Sequence, residues 1–198
     1  SQEASLDEIK HAKMCYGFAS AFIASYFRLG KLDVNGGLEG MDFNEIIRSV
    51  IKEGCMDETL SAIEAHLAAH NAQDTAVKDA LSQIASDETN HAQLDWDTIH
   101  WIIERYPDTL TVVEEAFRAA LKQHALQESN GVPLPPTTVC ADSEKDASFR
   151  KYGILARGDR DKVRKTGIRD IIAPAYLDGF KDVSLISKQI RKLNVAIL

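Results

Sequence analysis

The phrase Asp-Glu-x-x-His-Ala occurs twice in this chain, as Asp7-Glu8-Ile9-Lys10-His11-Ala12 and as Asp87-Glu88-Thr89-Asn90-His91-Ala92. A glutamate and a histidine three positions apart lie on one face of an α-helix, so a carboxylate oxygen and an imidazole nitrogen can converge on one metal ion. Two such helices supply half of a dimetal carboxylate centre. With 13 Glu and 6 His in 198 residues, random placement would give about 0.4 Glu-x-x-His pairs. Two pairs set in the same surrounding phrase exceed that expectation and point to metal binding.

Such ligands need helices to hold them. Apolar or small residues recur at helical spacing from about residue 3 to 28, through Ala12, Cys15, Phe18, Ala19, Phe22 and Tyr26, and predict a first helix carrying Glu8 and His11. The glycine-rich stretch Gly30 to Gly40 breaks the pattern. A second helix is expected over about 43 to 71, and it offers Glu58 as a lone carboxylate, with Glu45, Glu53 and Glu64 as alternatives. Gly54 on this helix permits close approach or a local bend. Asp74 is placed to cap a third helix that runs to about Arg105, carries Glu88 and His91, and is terminated by Tyr106-Pro107. A fourth helix is expected from about Asp108 to Gln127. Residues 130 to 138 hold three prolines and read as a linker. Beyond it come a short helix near 143 to 152, a basic one near 159 to 178 interrupted at Pro174, and a last one near 183 to 194. No segment alternates with period two, so the expected class is all-α, without sheet.

The bulk properties narrow the alternatives. A chain of this length suits one core and needs no covalent staple. No apolar run of about 18 residues is present, which argues against a membrane span. The net charge of −7 conceals a division: residues 1–144 hold 10 Lys and Arg against 24 Asp and Glu, and residues 145–198 hold 13 against 6. The resulting −14 and +7 predict that the C-terminal region, 131–198, folds back on a bundle formed by 1–130. Overall acidity argues against a nucleic-acid partner. Cys15, Cys55 and Cys140 form no disulfide framework or zinc spacing, so reduced thiols and an intracellular compartment are expected, with Cys15 and Cys55 as small buried residues. His66, His70, His100 and His124 lack a partner at metal spacing and read as surface or capping residues. Trp96 and Trp101 read as packing residues, and Arg157-Gly158-Asp159 as a helix start.

The segments Gly54-Cys55-Met56-Asp57-Glu58-Thr59-Leu60 and Asp87 to Ala92 resemble a bacterial-type family of ferritin-like dimetal carboxylate proteins. The resemblance extends to Leu6 to Ala12, Tyr152-Gly153-Ile154 and Ile171 to Pro174, and covers most of residues 4 to 180. It implies a ferritin-like helical bundle with additional C-terminal helices. The implied ligands are Glu8 and His11 on one helix, Glu58 as the bridging carboxylate, and Glu88 and His91 as the final pair. A helix with a lone Glu normally precedes the first Glu-x-x-His helix in such bundles. The chain opens at Ser1 where that helix would end, so the N-terminus reads as incomplete, and a preceding helix or a second chain is expected to cover helix one.

The implied cofactor is a pair of iron ions, or a manganese and iron pair, with no organic cofactor evident. The implied activity is that of an oxygen-dependent diiron oxidoreductase whose substrate the residues do not specify. Two other readings stand beside it: a non-catalytic metal-binding or iron-handling protein, and a metal-free scaffold binding a hydrophobic ligand or partner.

Overall fold

The structure, a computed structural model, describes residues 2–27, 30, 40–129 and 148–197. The protein is all-α, with no strand among the described residues. The expected linker at 130–138, most of the glycine-rich stretch, the start of the helix expected at 143–152 and Cys140 lie outside the described residues. No described helix is long and apolar enough to cross a membrane. The chain divides into two compact units, Ser1–Phe43 and Asn44–Leu198.

The smaller unit is built on α1 (Gln2–Phe22). Lys10 Nζ pairs with Asp7 Oδ1 at 2.7 Å, an i,i+3 contact along the helix. The helix stops six residues before the expected end. Ala24 takes a left-handed φ of 50°, its N–H donates to the Ala21 carbonyl, and the Ser25 N–H donates to that of Ser20. This pair of bonds is a Schellman closure with alanine in the place glycine usually takes. Ser20 reinforces it: its hydroxyl donates to the Tyr16 carbonyl and accepts from the Phe27 N–H. Cys15 is exposed, contrary to its expected burial, because α1 presents it away from cover; Cys55 is buried as expected.

The larger unit starts with a helical run in three parts: α2 (Phe43–Ser49), a π-helical stretch over Val50–Glu58, and α3 (Thr59–Asn71). After the short connection Ala72–Asp74 comes α4 (Thr75–Arg105), whose N-terminus is capped where Asp74 accepts a 3.0 Å hydrogen bond from the Val77 N–H. A connection this short turns α4 back along α3. A 3₁₀ turn at Pro107–Thr109 leads into α5 (Leu110–Ser129). The C-terminal part forms α6 (Arg157–Gly167), a second π stretch at Ile168–Ile172, α7 (Ala173–Leu177) and α8 (Ile186–Ile197). Pro174 sits in the first turn of α7, where its missing N–H costs no hydrogen bond, so the helical run passes through it uninterrupted.

The core of this unit joins α2, α3, α4 and α5 to the C-terminal helices. Ile51, Leu60 and Ile63 meet Trp96, Ile99 and Phe117, together with Ile171, Ile172, Ile186 and Ile190. Each such side chain contributes about 1.5–3 kcal/mol on burial. Charge adds alignment: Glu64 on α3 pairs with Arg160 at 3.2 Å and with Arg164, both on α6. The α3–α4 turn is held by the Lys151 carbonyl, which accepts the N–H of Gln73 at 2.7 Å. Trp101 departs from expectation. It is 54 % exposed and meets Tyr106 edge-on, because it lies on the face of α4 opposite the buried Trp96 and Ile99.

Gly153 shows how closely the C-terminal segment fits the hairpin. Its φ is +74°, and a Cβ there would lie 2.3 Å from Leu81 Cδ1 and 3.2 Å from the Ala68 carbonyl oxygen. Gly153→Ala is therefore expected to destabilise the protein by about 2 kcal/mol through strain and overlap. Gly158→Ala, in the first turn of α6 with nothing within 4 Å, should instead stabilise by about 0.5 kcal/mol. Urea unfolding of the two variants checks the opposite signs.

Candidate metal centre

Glu88 and His91 sit near the middle of α4, which runs unbroken through both. The continuous helix keeps the i,i+3 pair on one face: a carboxylate oxygen of Glu88 and a ring nitrogen of His91 lie within 4.8 Å of each other. Both side chains are buried. Asp95, one turn further on, extends the same face.

Glu58 approaches from the adjoining element as the last residue of the π stretch, which packs along α4. Its Oε2 is buried and has no hydrogen-bond partner. A buried carboxylate oxygen left in this way carries a free-energy cost that a cation would offset. The other carboxylates considered for this role are differently placed. Glu64 is committed to Arg160 and Arg164, Glu53 is exposed and accepts a hydrogen bond from the Ser49 hydroxyl, and Glu45 is exposed. Glu58 stands further from the α4 pair than those two stand from each other: among the described residues of the larger unit, no third donor falls within 4.8 Å of both Glu88 and His91. In the smaller unit, the Glu8 and His11 pair repeats the geometry, with Glu8 Oε1 3.4 Å from His11 Nδ1 on α1.

Gly54 has a role that its sequence context leaves open. It is buried in the π stretch, and a Cβ there would lie 2.3 Å from Asp95 Cγ and 2.4 Å from Asp95 Oδ2. The absent side chain makes the notch that the Asp95 carboxyl fills. Burial, and then the charge of Glu58, push the Asp95 carboxyl up to about 6 from an ordinary value of 3.8. Burial, and then Asp95, also push the Cys55 thiol well up, so this cysteine stays a neutral packing residue at neutral pH.

The raised Asp95 value has a measurable sign. The folded metal-free protein holds this proton more tightly than the unfolded chain. The contribution of Asp95 is therefore fully present below about pH 4 and is lost as pH rises through about 6. Metal-free Asp95→Asn is expected to gain thermal stability relative to the parent between about pH 4 and pH 7. Melting curves of the pair across that range, recorded in chelator, check the difference; a constant offset would contradict it.

Two buried polar contacts brace the centre. The Trp96 indole N–H donates to Thr59 Oγ1 at 3.1 Å, tying the residue after Glu58 to α4. The Thr89 hydroxyl donates to the Ala85 carbonyl, which leaves its oxygen to accept from His66 Nε2 at 3.3 Å. His66 thus bridges α3 and α4 and is not a surface residue. His100 likewise acts as a tether: its Nδ1 lies 3.0 Å from the Phe180 carbonyl, which can only accept, so that nitrogen carries the proton. These roles depend on partners 23 and 80 positions away, a separation that local spacing does not reveal.

Glu58, Glu88 and His91, with Asp95 adjoining, form a donor set of carboxylate oxygens and one imidazole. Such a set suits iron or manganese, and the orphaned Glu58 oxygen and the Gly54 notch fit a bound cation. No protein-family model matches the chain, and no curated protein or solved structure matches it.

Proposed function

We propose that this protein is a ferritin-like dimetal-carboxylate protein acting as an oxygen-dependent diiron oxidoreductase. The observation that carries the reading is the buried, unpartnered Glu58 Oε2 on the element packed along the helix that bears Glu88 and His91. The repeated Asp-Glu-x-x-His-Ala phrase adds Glu8 and His11 to the proposed ligands. Glu58, Glu88 and Glu8 would supply negative charge and bridging oxygens, and His11 and His91 would bind as neutral imidazoles. A reduced iron pair, when bound, supplies the electrons that activate dioxygen. The protein's own contribution is to bury the donors, limit water, and fix their spacing through the Trp96–Thr59 and His66–Thr89 contacts.

The test is metal content and oxygen uptake of the full-length protein after anaerobic loading with ferrous iron. Two ions per chain with oxygen consumption and an added reductant support the proposal. Two ions that stay bound without consuming oxygen favour an iron-handling protein. Absence of stoichiometric binding overturns the metal reading and leaves a helical scaffold.

A further inference from the structure

We propose that Asp95 is a carboxylate ligand of the metal centre, admitted to it by the missing side chain at Gly54; the proposal rests on the dimetal reading above. Three observations lead to it. First, Glu88, His91 and Asp95 follow one another at spacings of three and four along α4, which puts all three on one helical face. Second, the notch at Gly54 is filled by the Asp95 carboxyl and by no apolar group, with its Cγ and Oδ2 both inside the space a Cβ would take. A buried backbone notch of this kind is needed only if the carboxyl must sit between the π stretch and α4. Third, the charge of Glu58 bears directly on Asp95, while Glu58 Oε2 has no donor to satisfy it. Two carboxylates that oppose each other at a helix interface cost free energy unless a cation lies between them.

Charge and ligand counting agree. A dimetal carboxylate centre takes four carboxylates and two imidazoles. The motifs of this chain supply three carboxylates, Glu8, Glu58 and Glu88, and two imidazoles, His11 and His91. Asp95 makes the fourth carboxylate. Four such charges neutralise two divalent ions, whereas three leave a positive charge in a buried site. The chain would then need no carboxylate from any further helix.

The experiment uses full-length protein, stripped of metal and titrated anaerobically with cobalt(II), whose visible bands report its ligands. The wild type, Asp95→Asn and Asp97→Asn are compared, the last as an exposed α4 carboxylate that accepts a hydrogen bond from Gln93. The expected result is two ions per wild-type chain, with Asp97→Asn unchanged. Asp95→Asn should bind at least one ion about 10–100-fold more weakly, with altered bands, while its metal-free form melts at or above the wild-type temperature. A wild type that binds no cobalt removes the metal reading and this inference with it. A wild type that binds two ions while Asp95→Asn matches it in affinity and spectrum overturns this inference alone. So does weakened binding accompanied by a lower melting temperature of the metal-free variant, which would mark Asp95 as a packing residue.

Discussion

Full-length protein carrying His91→Ala is expected to lose metal while remaining folded. The imidazole is one of two nitrogen donors in the proposed set, and a lost ligand costs at least about 100-fold in affinity. The fold should tolerate the change, because alanine is the most favourable helix residue and position 91 lies within the long helix α4. The measurement is iron per chain after anaerobic loading and desalting, beside far-ultraviolet circular dichroism. Added imidazole, small enough to enter the space left by the ring, should restore part of the uptake. Unchanged iron content in this variant would mean that His91 is a packing residue and that the centre lies elsewhere.

Trp96→Ala should give the reverse pattern, with stability lost first. Trp96 is fully buried, its ring meets Phe117 at 5.3 Å and Phe180 at 6.4 Å, and its N–H satisfies Thr59. Removing a buried indole costs about 3–5 kcal/mol, a large part of the 5–15 kcal/mol available to a typical domain. Thr59 also loses its donor. Trp96→Phe separates the two effects, since it keeps most of the ring area and removes only the hydrogen bond, for about 1 kcal/mol. Urea midpoints of the three proteins give the comparison. Equal midpoints for Trp96→Ala and Trp96→Phe would show that the packing of this ring does not matter. Phe180 makes the same cluster unusual, for it holds a left-handed φ of 60° beside Gly179 at 66°. That strain, of about 1–2 kcal/mol, is offset by burying the ring against Trp96, Phe117 and Tyr176.

The parts of this molecule that follow from nearest neighbours along the chain were legible in the sequence. The span of α4, its Asp74 cap and its end at Tyr106-Pro107 follow from capping chemistry and the geometry of proline, and the shared face of Glu88 and His91 follows from helical period alone. The end of α1 was not legible, because a left-handed Ala24 closes it where no glycine or proline signals a stop. The exposure of Trp101 is a matter of which face the C-terminal helices cover, and apolar character alone does not decide that. Gly54 was recognised as a point of close approach, but its counterpart Asp95 lies 41 positions away, and only the folded chain brings the two together. The bridging role of His66 depends in the same way on Thr89 already spending its proton on Ala85.

The π stretch at Val50–Glu58 has a consequence for how this protein tolerates insertions and deletions. A π turn holds one residue more than an α turn. Deleting one residue between Ser49 and Gly54 would let the run relax into ordinary α-helix without breaking it. The helix would survive, but everything after the deletion would rotate about its axis by about 100° relative to what precedes it. Glu58 and the Gly54 notch would keep their mutual register, while Ile47 and Ile51 could not remain in the core together with Leu60 and Ile63. A lineage that lost that residue would keep a helical protein and give up either its packing or its carboxylate.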